Sequence, residues 1–350
     1  MMRTSPPVVR CHQLMKPWTW LFEQKATKKT SPSRWSISLR FLCCLLFTSV
    51  PIVLTTGCRD RAKSPTLPVA SVKHWSFPPD GIKAPAPRAV AVSPSGDVFV
   101  LDNAARVLVF DGGGKFLRLW RMPEAGLGNP QGVRALRDGR VVVADTHYSR
   151  LVFFDAEGKE LGRLGEFGKE PGQFIYPIAV AQDDAENFYV GEYGDHDRIQ
   201  KFAKDGTFLL EFGSFGTEPG QFQRPSGIVC HVGKVFVADA FNNRIQVFAD
   251  DGKFLGILRD EKSPVELNYP YDLVLDSRDG PSEPNFLLVE YGGNCVTQLS
   301  PTGRLLGRFG SEGSGIGQLV TPWRLAIHPQ TGSVIVMDTG NRRIVELRRE

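Results

Sequence analysis

An acidic residue recurs six times between residues 100 and 340, each time at the end of a short apolar run. In five of the six places an arginine follows it by four to six residues. The acids are Asp102, Asp145, Glu192, Asp239, Glu290 and Asp338, and the arginines are Arg106, Arg150, Arg198, Arg244 and Arg343. Six carboxylates on one face could bind a metal, but a repeated acid followed by arginine is more typical of a structural ion pair.

We therefore predict that each acid organises a loop and pairs with the arginine of its own repeat or of its neighbour. The fifth repeat departs from this pattern, because Cys295 stands where the arginine should be. The sequence thus leaves Glu290 without a partner of the repeated kind.

These residues belong to a longer repeat that opens with a proline followed by an apolar run. The opening prolines lie 43 to 52 residues apart and are Pro87, Pro130, Pro177, Pro225, Pro270 and Pro322. Each repeat contains four strand-like runs, and no helical periodicity follows residue 80. A period in the forties with four strands predicts an all-β fold, a β-propeller with six four-stranded blades.

The sixth repeat lacks its fourth run, because the sequence stops at Glu350 where that strand should begin. The segment 69–77 (VASVKHWSF) lies just before the first repeat and has the pattern of a strand. We predict that it completes the last blade and closes the ring, so that the propeller spans residues 69–350. The 36 glycines and 25 prolines suit the many tight turns of such a fold.

Several repeats are recognisable. Residues 237–248 (VADAFNNRIQVF) and 338–344 (DTGNRRI) strongly resemble NHL repeats, as do residues 144–151 (ADTHYSRL). The linkers 170–174 and 218–222, both EPGQF, resemble the connections between NHL blades. The resemblance covers about residues 85–350 and implies a six-bladed propeller. It does not imply one activity, since NHL propellers include RNA-binding, sensor, adaptor and a few enzymatic domains.

The two residues after each opening proline are expected to surround one mouth of the central channel. The second of them is Gly or Ala in four repeats, but Asp272 and Arg324 in the fifth and sixth. Once the ring closes, blades 5, 6 and 1 are neighbours. They would gather five bulky residues on one sector of the mouth, namely Arg88, Tyr271, Asp272, Trp323 and Arg324. Aromatic and charged groups where the scaffold needs a small residue predict a ligand-binding site, with Tyr193 and Tyr291 as outer contacts.

The sequence leaves alternatives open for these residues. Asp272 and Arg324 can simply pair with each other. In blade 3, the loop Asp195-His196-Asp197 looks like a metal ligand set, but a short solvated loop is the milder interpretation. We predict no metal and no cofactor. Cys230 and Cys295 are expected to be free thiols.

Two classes of function compete, and a third is disfavoured. The first is a non-catalytic module that binds a protein, peptide or glycan at the mouth. The second is a metal-dependent lyase or hydrolase resembling peptidyl-hydroxyglycine lyase, whose metal-binding histidines directly follow the opening prolines. No histidine follows an opening proline here, so we favour the binding module. RNA binding is disfavoured because residues 59–350 carry 34 Lys and Arg against 37 Asp and Glu.

Residues 1–58 form a different segment, with eight Lys or Arg and a single acid, Glu23. They include 17 uncharged residues, 41–57, followed by Cys58. This order is typical of an export signal, and residues 54–58 (LTTGC) resemble a lipobox that leaves Cys58 as the lipidated residue. The alternative is an uncleaved membrane anchor. Both hypotheses place the propeller outside the cytoplasm, attached to a membrane, with residues 59–68 as a linker.

Overall fold

The computed structural model describes residues 65–194, 196–278 and 280–350. Within these residues the chain forms 24 β-strands in six antiparallel sheets of four strands each. The predicted all-β, six-bladed propeller is confirmed. The predicted signal, with its apolar segment 41–57 and Cys58, lies outside the described residues. None of the described residues belongs to a helix with the length and apolar character needed to cross a bilayer.

Each of the first five blades uses four consecutive strands, numbered from the channel outward. Blade 1 contains β2 (Pro87–Val92), β3 (Val98–Asp102), β4 (Arg106–Phe110) and β5 (Phe116–Arg121). Blade 2 contains β6 (Gly132–Ala135), β7 (Val141–Asp145), β8 (Arg150–Phe154) and β9 (Glu160–Leu164). Blade 3 contains β10 (Tyr176–Gln182), β11 (Phe188–Tyr193), β12 (Arg198–Phe202) and β13 (Phe208–Phe212). Short 3₁₀ helices, Thr146–Tyr148 and Ala240–Asn242, follow the second strands of blades 2 and 4.

The remaining strands complete the ring in the same order. Blade 4 contains β14 (Pro225–His231), β15 (Lys234–Asp239), β16 (Arg244–Ala249) and β17 (Phe254–Ile257). Blade 5 contains β18 (Pro270–Asp276), β19 (Asn285–Glu290), β20 (Cys295–Leu299) and β21 (Leu305–Phe309). Blade 6 contains β22 (Leu325–Ile327), β23 (Val334–Asp338) and β24 (Arg343–Arg349), with β1 (Val69–Trp75) as its outermost strand.

The closing strand was predicted correctly. β1 pairs antiparallel with β24, from Val69 opposite Arg349 to Trp75 opposite Ile344. An isolated edge at the C-terminal strand would expose unpaired backbone groups, and β1 satisfies them. The innermost strands β2, β6, β10, β14, β18 and β22 contact one another in that cyclic order, so the ring is complete.

Part of the predicted linker is also paired. The amide of Leu67 donates to the carbonyl of Arg308 over 2.9 Å, and the amide of Arg308 donates to the carbonyl of Pro65. Leu67 is buried, and its backbone passes so close to Gly307 that a Cβ there would lie 2.7 Å from the Leu67 nitrogen. The chain is therefore attached to blade 5 before it reaches blade 6.

Apolar side chains from neighbouring blades pack against each other to form the core. Between blades 6 and 1 the main anchor is Trp75 of the closing strand, whose ring centre lies 5.7 Å from that of Phe110. Its indole Nε1 donates to Glu346 Oε2 over 3.0 Å. Gly114, with a φ of +83°, turns directly beneath the indole, where any Cβ would clash. Trp75 therefore joins the first and last blades.

We expect Trp75→Ala to lower the free energy of unfolding by about 3–5 kcal/mol, as for other buried tryptophans. Its neighbour in β1, His74, is exposed, so His74→Ala should change stability by less than about 0.5 kcal/mol. Urea unfolding of both variants measures the difference. Equal stability of the two variants would mean that closure does not depend on this side chain.

Candidate functional site

The repeated acids form ion pairs within their own repeats, as predicted. The five pairs have Nε–oxygen distances of 2.6 to 2.9 Å. They are Asp102–Arg106, Asp145–Arg150, Glu192–Arg198, Asp239–Arg244 and Asp338–Arg343. All five carboxylates are fully buried, so each charge depends on its arginine. Four of them accept further hydrogen bonds, whereas the buried Oδ1 of Asp145 has no partner among the described residues. They are part of the scaffold.

Most of these carboxylates also hold the linker that enters their blade. The second oxygen of Glu192 accepts the amide of Ile175 over 2.6 Å, two residues before the opening proline. Asp239 accepts the amide of Gln223 in the same way, and Asp338 accepts that of Val320, both over 2.7 Å. Each carboxylate thus ties the start of the first strand to the end of the second.

Glu290 does have a cationic partner, which corrects the sequence prediction. The Nε of Arg308, on β21 rather than β20, donates to Glu290 Oε1 over 3.0 Å. Thr297 Oγ1 donates to the same oxygen, and Cys295 lies 3.7 Å from it. Burial, reinforced by Glu290, raises the pKa of the Cys295 thiol to about 12, so the thiol stays protonated. The sequence pattern missed Arg308 because it lies on a different strand.

The first strands begin on one face of the ring, and four of the predicted residues meet at its centre, which we call the mouth. The guanidinium of Arg88 lies 4.7 Å from the ring centre of Trp323. Trp323 packs against Tyr271 with 5.1 Å between ring centres, and Tyr271 lies 6.0 Å from Tyr291. Blades 5, 6 and 1 therefore do bring these side chains together at the mouth.

Tyr193 lies at the other side of the mouth and is joined to this group through Arg224. The Arg224 guanidinium stacks on Tyr193 at 4.2 Å from the ring centre. Its Nη2 donates to Tyr271 OH over 2.9 Å and to Gln131 Oε1 over 3.2 Å. Gln131 Nε2 in turn donates to Tyr193 OH over 3.1 Å. Hydrogen bonds thus link blades 2, 3, 4 and 5 across the mouth.

Arg224 and Tyr269 also reach the mouth, although they directly precede the opening prolines and so lie outside the pattern of residues that follow them. Both have a left-handed backbone, with φ values of +64° and +56°, although a residue before proline normally prefers extended backbone. Hydrogen bonds from the backbone amides of both residues offset this strain. The Arg224 amide donates to Asp197 Oδ1 over 2.5 Å, and the Tyr269 amide donates to Asn243 Oδ1 over 2.7 Å. This backbone directs bulky side chains to the mouth.

The mouth contains two guanidinium groups without a carboxylate partner. Among the described residues, neither Arg88 nor Arg224 has an ion pair, and the buried Nε of Arg224 has no hydrogen-bond partner. Burial lowers the pKa of Arg88, and the nearby charge of Arg224 lowers it further. Arginine nevertheless remains protonated at neutral pH. Two positive charges therefore lie in an aromatic surround, where an anionic group would be favourable.

Asp272 and Arg324 lie deeper, and they pair with each other as the alternative hypothesis stated. Arg324 Nη1 is 3.2 Å from Asp272 Oδ1, and both side chains are largely buried. The same guanidinium donates to the backbone carbonyls of Ser226 and Ile178, the latter over 2.8 Å. Arg324 therefore reaches from blade 6 to blades 3, 4 and 5 and obstructs the channel beneath the mouth.

The small residues at the equivalent positions allow this close approach. A Cβ on Gly132 would lie 2.4 Å from the carbonyl oxygen of Ile178, and one on Gly227 would lie 2.8 Å from the Cα of Asp272. Burial raises the pKa of Asp272, while Arg324 opposes that shift. The pair thus forms a charged floor that is held by the ring itself.

The loop of blade 3 is partly described. Asp195 lies outside the described residues, and Asp197 accepts the Arg224 amide, so its carboxylate supports the backbone. His196 Nε2 is buried and has no hydrogen-bond partner among the described residues. No group of three or more His, Cys, Asp or Glu that could hold a metal occurs in the part of the chain that the structure describes.

Comparison with known proteins is consistent with this fold. No protein-family model matches the chain. NHL repeat-containing protein 3 of Mus musculus is 31% identical over 179 residues, which is 44% of this chain. The chain covers 48% of that relative, about half of its length. The predicted resemblance to NHL-repeat proteins is thus confirmed, and the protein is a six-bladed β-propeller.

Solved structures with a similar fold come from proteins of several functions. A putative gluconolactonase has a TM-score of 0.59 at 14% identity, covering 81% of this chain and 98% of its own. An auxiliary nutrient-binding protein from Bacteroides ovatus has a TM-score of 0.59 at 14% identity, covering 82% and 78%. Virginiamycin B lyase from Staphylococcus aureus has a TM-score of 0.56 at 13% identity, covering 80% and 99%. At these identities the likeness shows the fold alone.

The interaction between Asp272 and Arg324, which we call the floor pair, can be tested by a double-mutant cycle. Arg324→Ala should destabilise the ring by about 3–5 kcal/mol, because it leaves Asp272 as a buried charge without its partner. The Asp272→Ala, Arg324→Ala double variant should lose less than the sum of the two single losses. Chemical denaturation of the four proteins gives the coupling. Additive losses would contradict a direct interaction between these side chains.

Proposed function

We propose that this protein is a non-catalytic, extracytoplasmic binding module that holds an extended acidic ligand, a peptide or a glycan, at the mouth of its propeller. The observation that carries this proposal is the pair of guanidinium groups, Arg88 and Arg224, held among aromatic rings and without a carboxylate partner among the described residues. A protein ligand would contact the mouth through such an acidic segment. Because Arg324 obstructs the channel below, the ligand lies across the mouth.

The chemistry of the mouth suits a ligand that is both anionic and partly apolar. Guanidinium groups bind carboxylates through short, charge-assisted hydrogen bonds. The faces of Trp323, Tyr291 and Tyr269 can stack on sugar rings or on apolar side chains. The existing contacts among Arg224, Tyr271 and Tyr193 orient the cation before a ligand arrives, which reduces the entropy lost on binding.

The alternative of a metal-dependent lyase or hydrolase has less support. Similar folds occur in a lyase and in a putative gluconolactonase, but fold does not determine activity. The positions after the opening prolines, where the lyase-like pattern needs histidine, hold Arg88, Gln131, Ile178, Ser226, Tyr271 and Trp323. Guanidinium and aromatic groups favour binding over metal chemistry.

Export and anchoring are part of the proposal. The basic segment, the apolar residues 41–57 and Cys58 support a lipoprotein whose propeller is attached to the outer side of a membrane. A membrane-anchored module that presents two arginines and several aromatic rings is suited to capture acidic polymers close to the cell surface.

Ligand binding should depend on the mouth and not on the outer surface. We expect Arg88→Gln, Arg224→Gln and Trp323→Ala each to weaken binding of short polyglutamate or oligouronate chains about tenfold, roughly the loss of a charge-assisted contact. Arg304→Gln is the matched control, because Arg304 is exposed in blade 5. Isothermal titration calorimetry with polyglutamine and neutral oligosaccharides as comparison ligands provides the measurement.

Because Arg88 has no hydrogen bond or ion pair among the described residues, Arg88→Gln should also leave the melting temperature nearly unchanged. If the acidic ligands bind no better than the neutral ones, or if the three variants bind like Arg304→Gln, the mouth is not the binding site.

The anchor is tested separately. Cys58→Ser should abolish incorporation of labelled fatty acid and leave the precursor unprocessed, since lipidation and cleavage both need the thiol of that cysteine. Undiminished labelling of this variant would place the lipid elsewhere. Unaltered protein that stays in the membrane at full length and takes up no label would instead support an uncleaved anchor.

A further inference from the structure

The channel beneath the floor pair is a separate cavity with chemistry of its own. It has a volume of about 480 Å³ and is lined by the innermost strands of all six blades. Asp272 and Arg324 lie at one end, and Ser93, Arg137 and Pro329 lie at the other, where the first strands end. The cavity is therefore reached from the face opposite the mouth.

One side chain of this cavity is a cation that forms no ion pair within the described part of the chain. Arg134, on β6, lines the cavity. Its Nε is buried and has no hydrogen-bond partner, and its guanidinium forms no ion pair with any described residue. Burial lowers its pKa, and the titratable groups that oppose this shift are Cys230 and Asp272, from blades 4 and 5. Arg134 is thus half-buried in the wall of the cavity, with its Nε fully enclosed.

The charges of the cavity leave a surplus of one positive charge. Asp272 is paired with Arg324, and Arg137 is paired with Asp184 at 2.7 Å. The Cys230 thiol, which also lines the cavity, does not compensate for Arg134, because burial raises its pKa to about 12. A half-buried charge without a counterion is less well solvated than one in water, so an anion that entered the cavity would be stabilised there.

We infer that this channel is a second binding site, for a small organic carboxylate, and that Arg134 binds the carboxylate group. The volume suits a molecule up to the size of a sugar acid. The innermost strands are open sheet edges that face the cavity, and Arg324 already uses two of their carbonyls. Other backbone groups along these edges can bind ligand hydroxyls, and valine and isoleucine side chains contact the carbon skeleton.

The site differs from the mouth in position and in ligand size. The floor pair separates the two, so a ligand at Arg134 does not contact Arg88 or Trp323. An acidic polymer at the mouth could not enter a cavity of this volume. Binding of a carboxylate at Arg134 is therefore independent of binding at the mouth, and either can occur without the other.

The test uses glucuronate, with glucose as an uncharged molecule of similar shape, and lactate as a smaller acid. Calorimetry should show that glucuronate binds the full protein while glucose does not at the same concentrations. Arg134→Gln should weaken the affinity for glucuronate at least tenfold. Arg88→Gln at the mouth and Arg304→Gln on the outer surface should bind as the unaltered protein does.

A second measurement needs no ligand. Arg134→Met removes a half-buried charge that has no ion pair among the described residues, so we expect its melting temperature to be higher than that of the unaltered protein. Glucuronate should then raise the melting temperature of the unaltered protein and not that of the variant.

Several results would overturn the inference. Equal binding of glucose, an unchanged affinity in Arg134→Gln, or loss of binding in Arg88→Gln would each do so, as would failure of both acids to bind. Unfolding of both Arg134 variants would show that the side chain is structural. Equal stabilisation of Arg134→Met by glucuronate would show only a general salt effect.

Discussion

The buried carboxylate at the end of each second strand is the interaction on which the ring depends. A propeller is made of separate sheets, and the linkers between them lie outside the four-stranded ladders, with only isolated bridges such as that between Phe167 and Phe174. Glu192, Asp239 and Asp338 each satisfy a linker amide with one oxygen and an arginine with the other. The first strand of each of these blades is thereby held in register with the second. Blade 5 keeps this arrangement with a different cation, since Glu290 accepts both the Asn268 amide and Arg308.

A second constraint is the close approach of the innermost strands around the axis. Gly132 and Gly227 are needed because a side chain there would collide with a neighbouring strand. Asp272 and Arg324 occupy the same repeat position without such a collision because their side chains extend across the axis and bind each other. The ion pair that replaces the small residues in blades 5 and 6 separates the mouth on one face of the ring from the channel beneath it. The two compartments then carry different cations that form no ion pair with any residue the structure describes: Arg88 and Arg224 in the mouth, and Arg134 in the channel.

Two residues of the mouth have a strained backbone that the fold stabilises. Arg224 and Tyr269 precede prolines and yet adopt left-handed conformations. The side chains of Asp197 and Asn243, each from the preceding blade, hold these conformations through the backbone amides. Contacts between blades therefore determine where the largest side chains of the mouth point, and these contacts join residues 26 or 27 positions apart in the chain.

The sequence by itself determined the repeat, the number of blades, the closing strand and five of the six ion pairs. Each of these follows from local spacing: a strand alternates apolar residues, a turn needs glycine, and an acid at the end of one strand reaches an arginine at the start of the next. The sequence also placed Arg88, Tyr271, Tyr291 and Trp323 at one mouth, since repeat position implies position in the ring.

Only the tertiary structure decided the partners that come from different blades. Arg224 joins Gln131, Tyr193 and Tyr271, and Arg324 joins three blades, because ring closure brings together residues that are distant in sequence. The same holds for Arg308, which replaces the missing arginine of blade 5 from a different strand. It also holds for Arg134, because only its three-dimensional surroundings show that no described residue forms an ion pair with it. The spacing of residues along the chain predicts which residues are neighbours within one repeat. Charge compensation and burial depend instead on residues from other blades, and a local sequence pattern does not contain that information.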